Sequence, residues 1–129
     1  MATIRRFEDL EVWQLARKQC QMVYEATQNP SFRQNFSLRD QIERSSGSVM
    51  DNIAEGFDRD GNKEFIHFLS IAKGSNSEVR SQLYRALDRK HISEEEFNKM
   101  AKLNKEIGVK LNKLMQYLKN SDIKGKKFK

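Results

Sequence analysis

Ser93-Glu94-Glu95-Glu96-Phe97-Asn98-Lys99-Met100-Ala101-Lys102-Leu103-Asn104-Lys105-Glu106-Ile107-Gly108-Val109-Lys110-Leu111-Asn112-Lys113-Leu114-Met115-Gln116-Tyr117-Leu118-Lys119 is the stretch that decides the fold. Phe97, Met100, Leu103 or Asn104, Ile107, Leu111, Leu114 and Leu118 recur in steps of three and four, which puts them on one side of a helix. Ser93 and Glu96 form a capping box in front of this seam, each able to satisfy the other's backbone N–H. The helix is expected to run to about Lys119. A seam this narrow is buried only by packing against other helices.

Three more helical patterns lie upstream. From Glu8 to about Gln28, Trp13, Ala16, Cys20, Val23 and Thr27 form a seam, and Pro30 is expected to close the helix. A second row, Val12, Leu15, Met22 and Ala26, is broken only by Gln19. The apolar face is therefore wider than one bundle seam requires, which makes Val12, Leu15 and Met22 candidates for an oligomer interface. Ser37 with Asp40 suggests a cap for the next helix, whose seam is Leu38, Ile42, Ser45, Val49, Ile53 and Gly56 or Phe57. The breakers Asp58 to Asn62 make a turn into a helix carrying Phe65, Leu69, Ala72, Asn76, Val79, Leu83 and Ala86, ending near Leu87. Folding the chain about that turn sets the small-residue runs Ser45 to Ser48 and Gly74 to Ser77 at matching heights. They predict a close helix crossing through Gly47 and Gly74, with a polar pocket or an oligomer contact as alternatives. Four long helices joined by short connections predict an all-α, antiparallel up-down-up-down four-helix bundle over residues 1–119, followed by a basic tail, 120–129.

Composition agrees. A length of 129 residues suits one core, and one Pro with six Gly is too few turn formers for a sandwich or small barrel. The longest stretch without formal charge, Phe65 to Ala72, is far short of the roughly 18 residues that cross a bilayer, so no membrane association is expected. The start has charges where a signal peptide needs its apolar stretch, and Ala2 stands where myristoylation needs Gly. With a single cysteine, these features lead us to expect a cytoplasmic protein.

No catalytic or metal-binding constellation is complete. Glu64 and His67 have the Glu-x-x-His spacing of di-iron bundles, but there is no second pair, and His91 falls in a loop. Asp58-x-Asp60-x-Asn62 begins like a calcium loop, yet the twelfth position is Leu69. Gly56 to Gly61 has the spacing of a phosphate loop without its Lys. Cys20 has no nearby histidine and is expected to pack as a small hydrophobe. Glu55 and Glu78 are expected to be ordinary structural carboxylates. The expectation is a protein that is not an enzyme and uses no cofactor and no metal. The basic residues are more informative. Residues 120–129 contain four lysines and one Asp, half of the chain's net charge of +6. Arg5, Arg6, Lys124, Lys126, Lys127 and Lys129 are expected to converge at one end of the bundle as a nucleic-acid-binding cluster, while Lys99, Lys102, Lys110 and Lys113 read as a solvated helix face. The leading reading is an oligomeric bundle that binds RNA or another nucleic acid through these basic clusters with little sequence readout; the alternative is an oligomeric scaffold or adaptor for a protein partner, with the charge serving solubility.

Three blocks in order, Arg6-Phe7-Glu8-Asp9-Leu10-Glu11-Val12-Trp13-Gln14-Leu15-Ala16, Asn52-Ile53-Ala54-Glu55-Gly56-Phe57 and Lys63-Glu64-Phe65-Ile66-His67-Phe68-Leu69-Ser70-Ile71-Ala72-Lys73-Gly74-Ser75, resemble the bacterial four-helix bundle proteins encoded in 23S rRNA intervening sequences. The likeness runs from about Ile4 to Leu118. It implies a closed bundle, a homopentameric ring and a role in binding RNA. The accessory bundle proteins of diversity-generating retroelements have a similar fold, and their ring contacts a reverse transcriptase and nucleic acid. The resemblance implies no catalytic motif. Its Asn-Ile-Ala-Glu-Gly block falls on Asn52 to Gly56 and reads as structural, with Asn52 and Glu55 capping or cross-linking helices beside Gly56. Two positions depart from the family pattern, Met50 where a Pro is frequent and Asn76 where an apolar residue is frequent.

Overall fold

The computed structural model describes residues 4–122. A 3-10 turn, Phe7–Asp9, leads into α1 (Glu11–Thr27), α2 (Pro30–Gln34), α3 (Phe36–Phe57), α4 (Asn62–Asp88) and α5 (Glu94–Asp122). α1 packs on α3 and α5, α3 on α4 and α4 on α5, so the four long helices close a square. Its interior is filled by residues with no solvent exposure, among them Ala16, Ile42, Val49, Ile53, Leu69, Val79, Ile107 and Leu111. The expected four-helix bundle is the fold, with α2 as an added fifth helix.

Local chemistry explains most boundaries. Ser93 Oγ accepts from the Glu96 N–H at 3.0 Å and Glu96 Oε1 accepts from the Ser93 N–H at 2.8 Å, so the capping box forms as expected. α5 continues past Lys119 to Asp122. Gly61 supplies the φ of +88° that turns the chain into α4, a conformation with little steric cost only for glycine.

The first half of the chain departs from expectation. Glu8 and Asp9 lie in the 3-10 turn rather than in α1, because the chain must bend to bury Leu10 and to bring Phe7 within 5.2 Å of Trp13, centroid to centroid. Pro30 opens α2 rather than simply closing α1; its fixed φ suits a first helical position. α2 exists to bury Phe32. The cap of α3 is Asn35, whose Oδ1 accepts from the Leu38 N–H at 3.2 Å, and the expected Ser37 cap does not form. The buried face of α1 is rotated toward Val12, Ala16, Gln19, Val23 and Ala26. Gln19, which looked like a break in the apolar row, is 1% exposed. It is tolerated because Asn76 and Asn104 meet it: Gln19 Nε2 donates to Asn76 Oδ1 at 3.1 Å and Asn104 Nδ2 donates to Gln19 Oε1 at 2.9 Å. Asn76 Nδ2 and Asn104 Nδ2 also donate to each other's backbone carbonyl, both at 2.9 Å. Three amides from α1, α4 and α5 thus satisfy one another in the centre of the core.

Candidate nucleic-acid interface

The chain enters α1 and leaves α5 at the end of the bundle that also holds the α3–α4 turn, since Asn62 Nδ2 donates to the Leu118 carbonyl at 3.2 Å. Arg5 and Arg6 lie there, both exposed. Arg6 Nε approaches Asp9 Oδ1 at 3.4 Å, an exposed pair worth about 0–1 kcal/mol that leaves the guanidinium largely available. Lys124, Lys126, Lys127 and Lys129 lie outside the described residues. The same end also carries acidic groups. Asp51, Glu55 and Asp58, with Arg59, line an open groove of about 390 Å³, and Asp60 and Glu64 follow in the turn and the start of α4. A polyanion approaching this end meets both signs of charge.

The Asn-Ile-Ala-Glu-Gly block sits on the α3–α4 contact. Asn52 Nδ2 donates to the Ser48 carbonyl at 2.8 Å and to Ser48 Oγ at 3.0 Å, and Ser48 Oγ lies 2.8 Å from Ser75 Oγ on α4. Asn52 therefore supports the hydroxyl that joins the helices. Glu55 Oε2 accepts from Arg59 at 2.9 Å, and the same guanidinium lies 3.9 Å from Glu64 and 5.0 Å from the Phe68 ring, spanning the turn. Gly56 is the point of closest approach: an added Cβ would stand 2.7 Å from Phe68 Cβ. The two small-residue runs meet through Ser48 and Ser75, at the heights expected. Gly47 and Gly74 take no part, since a Cβ on either would meet nothing within 4 Å. The crossing through those two glycines is thus corrected to a serine pair with the tight contact at Gly56.

Of the residues proposed for assembly, Val12 is 5% exposed inside the bundle, whereas Leu15 and Met22 are half-buried against the core. Val12 leaves the surface because the buried face of α1 is rotated around Gln19. A small cleft of about 160 Å³ between α1 and α5 is lined by Met22, Glu25, Ala26, Glu96, Lys99 and Met100.

His91, read from the sequence as a loop residue, is a corner joint. Its ring stacks on Phe32 at 5.2 Å, Nδ1 lies 2.9 Å from Ser31 Oγ, and Nε2 lies 3.1 Å from Asn35 Nδ2. Because Asn35 Oδ1 is occupied by the Leu38 N–H, its amide nitrogen must face His91, so Nε2 accepts and Nδ1 carries the proton. Burial pushes the His91 pKa down, and Arg89 adds to this. Both ring nitrogens are committed, which leaves none for proton transfer. Half-buried Cys20 has its thiol pKa raised by burial, against a lowering by a Ser46 hydrogen bond, so the thiolate is disfavoured. Glu64 and His67 form no metal site, and among the described residues no group of three or more His, Cys, Asp or Glu side chains is placed to hold a metal ion. Among them too, no helix is long and apolar enough to cross a membrane.

Comparison with known proteins follows the same lines. A search of curated proteins finds no match. The structure of a protein of unknown function from the S23 ribosomal protein family of Bacteroides thetaiotaomicron is similar, with a TM-score of 0.74 at 22% identity over 81% of this chain and 97% of that one. At that identity the likeness speaks for the fold. The family model described as 23S rRNA-intervening sequence protein matches residues 8–113, a span that contains α1 to α4, the Asn52–Gly56 block and most of α5, and this places the chain in that family.

Proposed function

We propose that the protein is a non-enzymatic, oligomeric helical bundle of the cytoplasm that binds RNA through basic surface residues with little sequence readout. The observation that carries this reading is a family defined by 23S rRNA intervening sequences, in a chain of net charge +6 whose cations among the described residues are mostly exposed. Exposed lysines and arginines bind phosphates by releasing condensed counterions, an affinity that ignores base identity and falls steeply with salt. Assembly multiplies the effect, because several weak sites on one particle bind a single long polyanion together. Leu15 and Met22, at the edge of the α1 face, are the residues proposed to contribute to the contact between copies; Val12 supports them from within.

Binding of a labelled structured RNA at about 50 mM and about 200 mM salt tests the proposal; we expect micromolar or tighter affinity at the lower salt and at least a tenfold loss at the higher. Truncation after Asp122, which removes Lys124, Lys126, Lys127 and Lys129, is expected to reduce the slope of that loss. Absence of binding at the lower salt, with the fold intact, rejects RNA binding in favour of a scaffold for a protein partner such as a reverse transcriptase.

A further inference from the structure

The central stretch of the seam between α4 and α5 carries charge of one sign. Asn76 and Asn104 set its register, and the Tyr84–Phe97 ring contact at 4.8 Å and the Asn62–Leu118 hydrogen bond follow the same antiparallel alignment. At 1.5 Å per residue, Lys73 lies about 4.5 Å to one side of the Asn76–Asn104 level, Lys105 about 1.5 Å to the same side and Arg80 about 6 Å to the other. All three are exposed, and among the described residues none has an ion-pair partner within 4.0 Å.

The flank follows from what occupies the others. Ser75, Glu78 and Gln82 line the groove toward α3, and Glu96 and Lys99 line the cleft toward α1. Lys73 and Arg80 are rotated about 40–60° from Asn76, and Lys105 about 100° from Asn104, each away from those grooves and outward along the shared seam. The acids are turned off it. Glu78 and Glu106 each come two residues after the asparagine of their helix, about 200° round. Asp88 and Glu94 are on this flank but about 15–18 Å along it, beyond Tyr84. The floor beside the cations is low, with Ser77 on α4 between Lys105 and Arg80 and Gly108 on α5 just past Lys73, so a backbone can lie close. Tyr84 is 53% exposed, braced on one side by Phe97.

We propose that this seam is the phosphate-tracking surface of the bundle body: Lys73, Arg80 and Lys105 neutralise successive phosphates of an RNA strand, and an unpaired base stacks on Tyr84. The proposal rests on the RNA-binding reading and gives it a place, separate from the basic termini. An isolated cation between acids, such as Lys110 with its 3.0 Å partner Glu11, has no net attraction to offer; three unpaired cations over about 11 Å do. Exposed aromatic rings beside such a stripe take bases without reading them.

The test uses the full chain and a fluorescently labelled RNA hairpin with an unpaired loop, titrated at about 50 mM and about 200 mM salt. The triple variant Lys73→Gln, Arg80→Gln, Lys105→Gln is expected to bind about tenfold or more weakly at low salt, with a log–log salt slope smaller by about two to three. The charge-matched triple Lys99→Gln, Lys102→Gln, Lys113→Gln, on other flanks of α5, should change affinity by less than about threefold, the small loss expected of long-range field alone. Tyr84→Leu is expected to weaken the looped hairpin at least about fivefold and a blunt duplex hardly at all. If the unaltered protein binds and the first triple binds equally well, or both triples lose equally, the seam proposal is overturned while RNA binding stands. If Tyr84→Leu has no effect, the stacking role is overturned. If the unaltered protein fails to bind, both readings fall. Every position changed is exposed, so each variant is expected to fold, which far-UV circular dichroism checks.

Discussion

Gly56 shows how much a single methyl group can matter here. With a Cβ 2.7 Å from Phe68 Cβ and 3.0 Å from Phe65 Cδ1, Gly56→Ala must push α3 from α4, at a cost of about 1–3 kcal/mol. Gly47→Ala and Gly74→Ala meet nothing and remove helix-interior glycines, so each should stabilise by about 0.5–1 kcal/mol. Thermal melts should therefore move in opposite directions, and a neutral Gly56→Ala would show that the contact relaxes freely. The sequence singled out all three glycines but could not rank them, since the distance from a Cβ to another helix is set by the crossing. The amide triad makes the same point. Asn76→Leu leaves buried groups of Gln19 and Asn104 unpaired, so denaturant unfolding should report a loss of about 2–4 kcal/mol. Replacing Gln19, Asn76 and Asn104 together by Leu removes the orphaned groups and should recover most of that loss. A single Asn76→Leu costing less than about 0.5 kcal/mol would mean the network contributes little.

The elements that read best are those whose signals are local. The α5 capping box is complete within three residues, and it forms as written. The α2–α3 connection was illegible because its chemistry comes from a residue 56 positions away: Asn35 both caps α3 and holds His91. That joint is pH-sensitive. The folded state disfavours protonated His91, whose Nε2–H would point at the Asn35 donor, and its pKa is lowered from the usual 6.5. Above that value both folded and unfolded chains hold it neutral; as pH falls through and below it, the unfolded chain binds the proton more readily and stability drops. Glu96 acts lower. The Ser93 N–H holds its carboxyl below the usual 4.5, so its contribution persists until pH falls beneath that value. Urea midpoints from pH 8 to pH 4 should therefore decline first near pH 6.5 and again below about pH 4.5, and His91→Gln should remove the first step only. A first step that survives His91→Gln would assign it elsewhere.

Across the whole molecule, the square of helices leaves Leu15 and Met22 half-buried at the edge of the α1 face, the surface proposed for contact between copies. Light scattering at tens of micromolar is expected to return five times the 15.2 kDa chain mass, and Leu15→Glu is expected to lower it toward the monomer. A monomer mass for the unaltered protein would reject the assembly. Charge behaves differently at this scale from the way it reads along the chain. Along the chain the +6 divides equally between the ten-residue tail and the bundle body, but folding sets the acidic α3–α4 turn beside the start of α1 and the end of α5 and leaves Lys73, Arg80 and Lys105 without ion-pair partners on a helix seam.

The sequence alone determined the number of long helices, their approximate ends, the antiparallel arrangement and the residues of most seams, because apolar period, caps and breakers act within one or two turns. Tertiary structure alone decided which glycine is indispensable, that Gln19, Asn76 and Asn104 form one network across 57, 28 and 85 residues of separation, and which cations share the middle of one helix seam. These depend on helix rotation and relative height, and both are set only when four amphipathic faces are packed against one another.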